Sequence, residues 1–324
     1  MASNLDEQLN LYLMDAHAIE LQALEQVKRA RKIAGDPEIA AAFSEHVRET
    51  ERHRLYVDDR LLVRGFKPGA PDKDVSAKVT GVGMAMFARF QPDTPGKLVA
   101  HAFAYEHMEL AAYELLGLLA ERAGDSATVE TTRMIATEEA AMAGRLAAGF
   151  DRAVEASLQA LDPDDMDKQL GKYLADAHAI EAQAESLLRR APEMAGAEEL
   201  STVFEEHLEE TRHHTELVES CLGSRQESPS AIKDAALRLG ALNLGMFLGS
   251  QQDTPAKLAG FAYAFEHLEI AAYELLERVA RRVGDPGTVG AVTEILPQER
   301  AAAERIRGLF DEALQASLEQ AATI

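Results

Sequence analysis

Apolar residues recur along the chain with the 3.6-residue period of amphipathic helices. Over residues 5–34 this stripe includes Leu5, Leu9, Leu13 and Leu24, which share one face of a helix. The chain is rich in Ala, Leu and Glu, which favour helices, and its β-branched residues do not cluster. The pattern therefore predicts an all-α protein.

Glycine and proline divide this pattern into separate helices. At 35–38 the segment "GDPE" ends one helix and begins the next, because glycine suits the position after a helix while aspartate and proline suit a helix start. We expect long helices over 5–34, 37–64, 95–123 and 126–158, and a short helix near 75–90.

The lengths of the connections indicate how these helices pack. Tight turns join the first helix to the second and the third to the fourth, which forms two hairpins. The long connection between the second and third helices, with its short extra helix, lets the hairpins pack as a crossover four-helix bundle. This is the topology of ferritin-like folds.

The whole pattern is repeated in the second half of the chain. The segment "DAHAIELQA" at 15–23 returns as "DAHAIEAQA" at 176–184, and "QPDTPGKL" at 91–98 returns as "QQDTPAKL" at 251–258. The nearly constant offset indicates a tandem duplication of a complete domain. We therefore expect two ferritin-like bundles, one over residues 1–160 and one over residues 161–324.

Glutamates interrupt the apolar stripes at matching heights. Glu20 and Glu49 lie 15 residues before and 14 residues after Gly35, and Glu109 and Glu139 each lie 15 residues from Gly124. Since a helix rises by about 1.5 Å per residue, equal distances from a hairpin turn place such residues at one level. The sequence predicts four acids at one height in the interior, and the same spacing recurs in the second half.

Four buried carboxylates repel one another unless they are protonated, paired with bases or bound to cations. Two divalent ions would balance four carboxylates, and mixed carboxylate and imidazole ligands suit iron, manganese or zinc. We predict two divalent ions per half, iron or manganese, with zinc as the alternative. The predicted metal ligands are Glu20, His46, Glu49, His53, Glu106, Glu109 and Glu139, with Glu181, His207, Glu210, His214, Glu266, Glu269 and Glu299 as their counterparts.

Several of these assignments have a structural alternative. Glu106 either binds a metal or supports a residue that does. His46 and His53 are either ligands or histidines that find a hydrogen-bond partner in the core. Glu138 is matched by Gln298 in the second half, so we do not count it as an essential ligand.

Composition limits the remaining classes of function. The chain has 55 acidic and 33 basic residues, which argues against binding to the phosphate backbone of nucleic acids. It has no apolar tract long enough to cross a membrane, and the N-terminal "MASNLDEQLN" is unlike a secretory signal or transit peptide. A single cysteine, Cys221, excludes intrachain disulfides. We expect a cytoplasmic protein.

The segment "AYEHMELAAYELL" at 104–116, with "DAHAIE" and "EHVRET", resembles the YciE/YciF-like family of bacterial ferritin-like stress proteins. The likeness covers nearly all of each half. The pair Glu106 and Glu109 is also similar to the E-x-x-E of the third helix of rubrerythrin. The resemblance implies a four-helix bundle with a carboxylate metal site, commonly as a dimer. A duplicated chain would then form its own pseudo-dimer, and the sequence leaves open whether it also forms a homo-oligomer.

The chain departs from the usual di-iron pattern, which has E-x-x-H on the second and fourth helices. Here the second helix has His46 three residues before Glu49, in reversed order. The fourth helices carry no histidine and have Met142 and Ala302 at the corresponding positions. Pro297 lies inside the fourth helix of the second half, where proline is expected to cause a kink or a bulge.

Three functions remain as hypotheses. The first is a di-metal oxidoreductase, of the peroxidase or oxidase kind, that acts on dioxygen or peroxide in oxidative or general stress. The second is a module that binds or stores metal without turnover. The third is a structural bundle with a vestigial site.

Overall fold

The computed structural model describes residues 2–68, 95–159, 161–230 and 253–323, and the elements in these ranges are α-helices. The expected short helix near 75–90 lies outside the described residues. The helices of the first half are α1 (Ala2–Ile33), α2 (Pro37–Val63), α3 (Pro95–Ala123), α4 (Ser126–Ala148) and α5 (Phe150–Leu158). Those of the second half are α6 (Pro163–Leu188), α7 (Ala191–Met194), α8 (Glu198–Ser224), α9 (Thr254–Val283), α10 (Pro286–Arg307) and α11 (Phe310–Thr323).

The turn between α1 and α2 forms as the sequence predicts. Gly35 has a φ of +73°, a left-handed conformation that glycine adopts without strain. The Asp36 carboxylate accepts hydrogen bonds from the backbone N–H groups of Glu38 and Ile39, at 2.9 and 3.0 Å. Pro37 occupies the first position of α2. The predicted helix stop and start are confirmed.

The predicted single helix over 126–158 is wrong, because the chain breaks at Gly149 into α4 and α5. The N–H of Gly149 donates to the carbonyl groups of Arg145 and Leu146, which closes α4. At the start of α5, the ring centroid of Phe150 lies 5.5 Å from that of Phe103 on α3. The break lets the last helix of each half bury its own apolar face, and α10 and α11 repeat it.

Within the first half, α1 packs against α2 and α3, and α4 packs against α3 and α2. The second half repeats these contacts, with α8 against α6 and α10 and with α9 against α6 and α10. Four long helices therefore surround each interior, and each contributes to what lies between them.

The two halves contact each other through their central helices, because α3 packs against α9. Equivalent ion pairs flank this contact. Lys97 Nζ lies 2.8 Å from Asp176 Oδ2, and Lys257 Nζ lies 3.1 Å from Asp15 Oδ2. Each half thus provides a lysine for an aspartate of the other. None of the described helices is both long enough and apolar enough to span a lipid bilayer.

Candidate metal centre

Six acidic and imidazole side chains meet in the interior of the first half. All six are almost completely shielded from solvent, with at most 2% exposed. They come from α1, α2, α3 and α4, and they are Glu20, His46, His53, Glu106, Glu109 and Glu139.

These side chains form two groups, and the atoms that could bind a metal lie within 4.8 Å of one another in each. The first group consists of His46, Glu106, Glu109 and Glu139. The second consists of Glu20, His53 and Glu139. His46 Nε2 lies 3.2 Å from Glu106 Oε2 and 3.4 Å from Glu139 Oε2. His53 Nδ1 lies 2.7 Å from Glu139 Oε1. Glu139 therefore belongs to both groups and presents one oxygen to each.

Several polar atoms of this cluster have no hydrogen-bond partner in the described part of the chain. Both oxygens of Glu109 and both oxygens of Glu139 have no hydrogen-bond partner among the described residues. The same holds for Nε2 of His46 and Nδ1 of His53, although these nitrogens lie near carboxylate oxygens. Buried polar atoms without partners are costly. Their convergence fits a bound cation, and the buried His and Glu groups could hold metal ions.

The second half repeats this arrangement with the groups His207, Glu266, Glu269 and Glu299, and Glu181, His214 and Glu299. His207 Nε2 lies 2.9 Å from Glu266 Oε2, and His214 Nδ1 lies 2.8 Å from Glu299 Oε1. The helix α10 continues through Pro297, and Glu299 is fully buried. The proline therefore does not remove Glu299 from the cluster.

The structure does not bring Glu49 into these groups. Its Oε2 lies 3.0 Å from Nδ1 of His46, on the outer side of the imidazole, and accepts a hydrogen bond from Arg145 at 2.7 Å. Glu210 has the same position beside His207. A carboxylate that accepts from one imidazole nitrogen leaves the other free to bind a metal and makes it a stronger donor. Both acids lie beside the candidate ligands, at the edge of the interior.

We expect Glu49→Gln to weaken metal binding about 10-fold to 100-fold in the first half without changing the number of ions, as is typical for residues that support a ligand. Titration with Mn²⁺ measures both quantities. Glu45→Gln, an exposed position on the same helix, is the matched control. Loss of an ion in Glu49→Gln would instead identify this residue as a ligand.

A tyrosine on the third helix of each half contacts the glutamate from the first helix. The hydroxyl of Tyr113 donates to Glu20 Oε1, and that of Tyr273 donates to Glu181 Oε1. Neither tyrosine is predicted from the sequence to have this role. A signal was present, because Tyr113 follows Glu109 by four residues and so lies on the same helix face.

Burial dominates the electrostatics of three carboxyl groups of the cluster. It raises the pKa of Glu20 and of Glu106 to about 8, against ordinary values of 4.5. It also raises the pKa of Glu109 well above its ordinary value, and the neighbouring charge of Glu139 adds to this effect. Without cations, burial therefore favours the protonated form of these three groups.

The histidines show the opposite balance. Burial alone would lower the pKa of His53, but Glu139 and Glu20 outweigh it and raise that pKa to about 9. The pKa of His46 is raised well above its ordinary value for the same reason, because the Glu106 carboxylate lies beside it. Burial would raise the pKa of Glu139, yet the two histidines lower it. In the chain alone, protons supply the positive charge that the buried carboxylates need.

We expect the thermal stability of the metal-free protein to fall as the pH rises from about 6 to about 9. The carboxyl of Glu20 has a pKa of about 8 in the folded protein, against an ordinary value of 4.5. Between these values the folded protein holds a proton that the unfolded chain has lost, so stability falls as the pH rises. The pKa of His53 is about 9 in the folded protein, against an ordinary value of 6.5. Its contribution to stability is therefore complete below pH 6.5 and is lost as the pH rises through 9. Both shifts therefore have the same sign.

Thermal unfolding of chelated protein across this range tests the prediction, with the Mn²⁺-loaded protein as the comparison. Metal binding requires deprotonated ligands, so the loaded protein should not lose stability in this way. Identical pH profiles for both forms would contradict the prediction.

A groove of about 650 Å³ lies mainly between α3 and α4. Its lining includes Tyr113, Gly117, Thr132 and Arg307. Since the Tyr113 hydroxyl bonds to Glu20, this tyrosine connects the groove wall to the cluster.

Comparison with known proteins gives one match in each half. A family model described as a domain of unknown function (DUF892) matches residues 4–159 and again residues 165–319. No solved structure matches the chain.

Proposed function

Because the chain belongs to the DUF892 family, with one copy of the domain in each half, we propose that each half is a ferritin-like bundle that holds two divalent metal ions. The ions are iron or manganese, and the protein acts on dioxygen or peroxide in oxidative or general stress. The observation that carries the proposal is the carboxylate shared by two ligand groups, Glu139 in the first half and Glu299 in the second. A shared carboxylate suits two adjacent ions.

In the first half, one ion would be held by His46, Glu106 and Glu109, the other by Glu20 and His53, with Glu139 shared between them. Bound iron or manganese would supply one-electron oxidation and reduction at this position. The chain's own residues orient the ligands and exclude water from them. In particular, the Tyr113 hydroxyl fixes Glu20 and holds a proton beside the cluster.

The resemblance to the YciE/YciF-like stress proteins and to rubrerythrin supports this assignment, because it involves the same glutamates of α3 and α9 that lie in the clusters. We interpret the packing of α3 against α9 as the intrachain counterpart of a dimer contact.

One observation favours a second candidate, a module that holds metal without turnover. The ligand side chains are almost completely buried, which restricts the approach of a substrate. The groove that reaches Tyr113 favours turnover instead. Both candidates use the same ligands.

Elemental analysis of protein purified without chelator tests the shared part of the proposal and should find about two ions per half. A protein that contains no metal and is not stabilised by added iron or manganese would overturn it. Peroxide consumption by the loaded forms then separates the two candidates, since a storage module should show no turnover.

A further inference from the structure

One supporting hydrogen bond differs between the two clusters. In the first half, Nε2 of His53 lies 2.7 Å from Oε2 of Glu138. In the second half, Nε2 of His214 lies 2.9 Å from Oε1 of Gln298. Each histidine directs its other nitrogen, Nδ1, toward the shared glutamate of its cluster, at 2.7 and 2.8 Å. A carboxylate therefore supports one imidazole, and a neutral amide supports the other.

Three other supporting contacts are the same in both halves. A tyrosine hydroxyl donates to the first-helix glutamate in each. A glutamate lies beside Nδ1 of the other histidine, at 3.0 and 2.9 Å, and an arginine donates to that glutamate at 2.7 Å in both cases. These three contacts are therefore matched between the halves. The exchange of the Glu138 carboxylate for the Gln298 amide changes the charge beside one histidine of each cluster.

This exchange changes how strongly the histidine donates to a metal. When an imidazole binds a cation it gains positive charge, and a carboxylate on its other nitrogen stabilises that charge. A hydrogen bond to an ionised acceptor is about twice as strong as one between neutral groups. His53 is therefore the stronger ligand of the two.

Arg52 reduces this difference without removing it. Its Nη2 donates to the same oxygen of Glu138 that accepts from His53, at 2.7 Å. The Arg52 side chain is 44% exposed, so solvent screens its charge. His53 is buried, and its hydrogen bond to Glu138 is less screened.

We infer that Glu138 and Gln298 are positioning residues that make the two metal sites unequal, so that the first half binds divalent ions more tightly than the second. This inference rests on the proposed function. Ions would then fill the first half before the second, and the more strongly donating imidazole of the first half would favour the higher oxidation state of its metal.

Mn²⁺ titration of two full-length variants measures each site separately, with free Mn²⁺ followed by its electron paramagnetic resonance signal. Glu269→Gln with Glu299→Gln disables the second half, and Glu109→Gln with Glu139→Gln disables the first. We expect the first-half site to bind Mn²⁺ on the order of 10-fold more tightly, at the lower end of the effects of supporting residues.

Reciprocal exchanges then identify the cause. In the variant whose first half is intact, Glu138→Gln should weaken Mn²⁺ binding to the level of the second half. In the variant whose second half is intact, Gln298→Glu should tighten Mn²⁺ binding, a gain that a merely structural role for Gln298 would not give. In the otherwise unaltered chain, the two halves should bind Mn²⁺ with two different affinities, and either single exchange should make these affinities equal. This serves as a second measurement if a variant with one disabled half folds poorly.

Equal affinities in the two variants with one disabled half, or a difference that neither exchange changes, would overturn the inference while leaving the proposed function intact. Failure of the unaltered chain to bind any Mn²⁺ or iron would overturn both.

Discussion

Glu109→Leu together with Glu269→Leu should stabilise the metal-free protein by about 1–3 kcal/mol per half. Both oxygens of each glutamate are buried without a hydrogen-bond partner among the described residues. Burial and the neighbouring carboxylates raise the pKa of both groups well above the ordinary value. A leucine removes this cost and fills the space with apolar atoms.

The same change should weaken stabilisation by metal in both halves, because Glu109 and Glu269 each belong to the four-residue ligand group of their cluster. A ligand that binds only the folded protein adds about 2.7 kcal/mol when its concentration is 100 times its dissociation constant. Denaturant unfolding of the unaltered protein and of the variant, each with chelator and with Mn²⁺, gives the four free energies of unfolding needed. We expect the variant to be more stable with chelator and to gain less stability from Mn²⁺ than the unaltered protein does.

Glu130→Leu provides the control, since it makes the same chemical change at an exposed position on α4. It should change the free energy of unfolding by no more than about 0.5 kcal/mol and leave the response to Mn²⁺ intact. If Glu109→Leu with Glu269→Leu destabilised the chelated protein, the buried carboxylates would be structural elements, and the metal hypothesis would lose its physical basis.

Glu139→Gln with Glu299→Gln should weaken metal binding in both halves by more than about 100-fold, because even residues that only support a ligand contribute 10-fold to 100-fold. Each of these glutamates belongs to both ligand groups of its half. The amide keeps the size of the side chain but removes the charge that two ions would share. Equilibrium dialysis against Mn²⁺ measures the loss.

Glu130→Gln is the matched control on the same helix and should bind Mn²⁺ as the unaltered chain does. Circular dichroism and thermal unfolding in chelator establish that Glu139→Gln with Glu299→Gln is folded. Binding of about two ions per half with unchanged affinity would show that Glu139 is not shared between ions, against the observation on which the proposed function rests.

Local signals predicted much of the fold. The helix stop at Gly35, the cap at Asp36 and the start at Pro37 depend on residues that are adjacent in sequence, and all three form as expected. Residue counting from the hairpin turns also placed Glu20 and Glu139 in the same interior, where the structure has them. The break at Gly149 was missed because helical periodicity continues across it, while the burial of Phe150 against α3 depends on packing.

The packing of the four helices determines which of these side chains join the candidate metal groups and which lie beside them. Glu49 satisfied the height rule, yet it lies beside His46 because height does not specify rotation about the helix axis. The glutamine that matches Glu138 in the second half argues from sequence against a metal ligand, yet both residues can accept a hydrogen bond from a histidine. That partner lies 85 residues away in sequence, so no local pattern indicates it.

The helical character of the chain, its repeated domain and the burial of acids at one level in each copy all follow from periodicity, repetition and residue counts. The packing of the helices makes one glutamate in each half common to two candidate metal groups. It also places a carboxylate in one half and an amide in the other beside the equivalent histidines His53 and His214. Such contacts join side chains on different helices, and their geometry depends on how the helices are rotated and packed against one another.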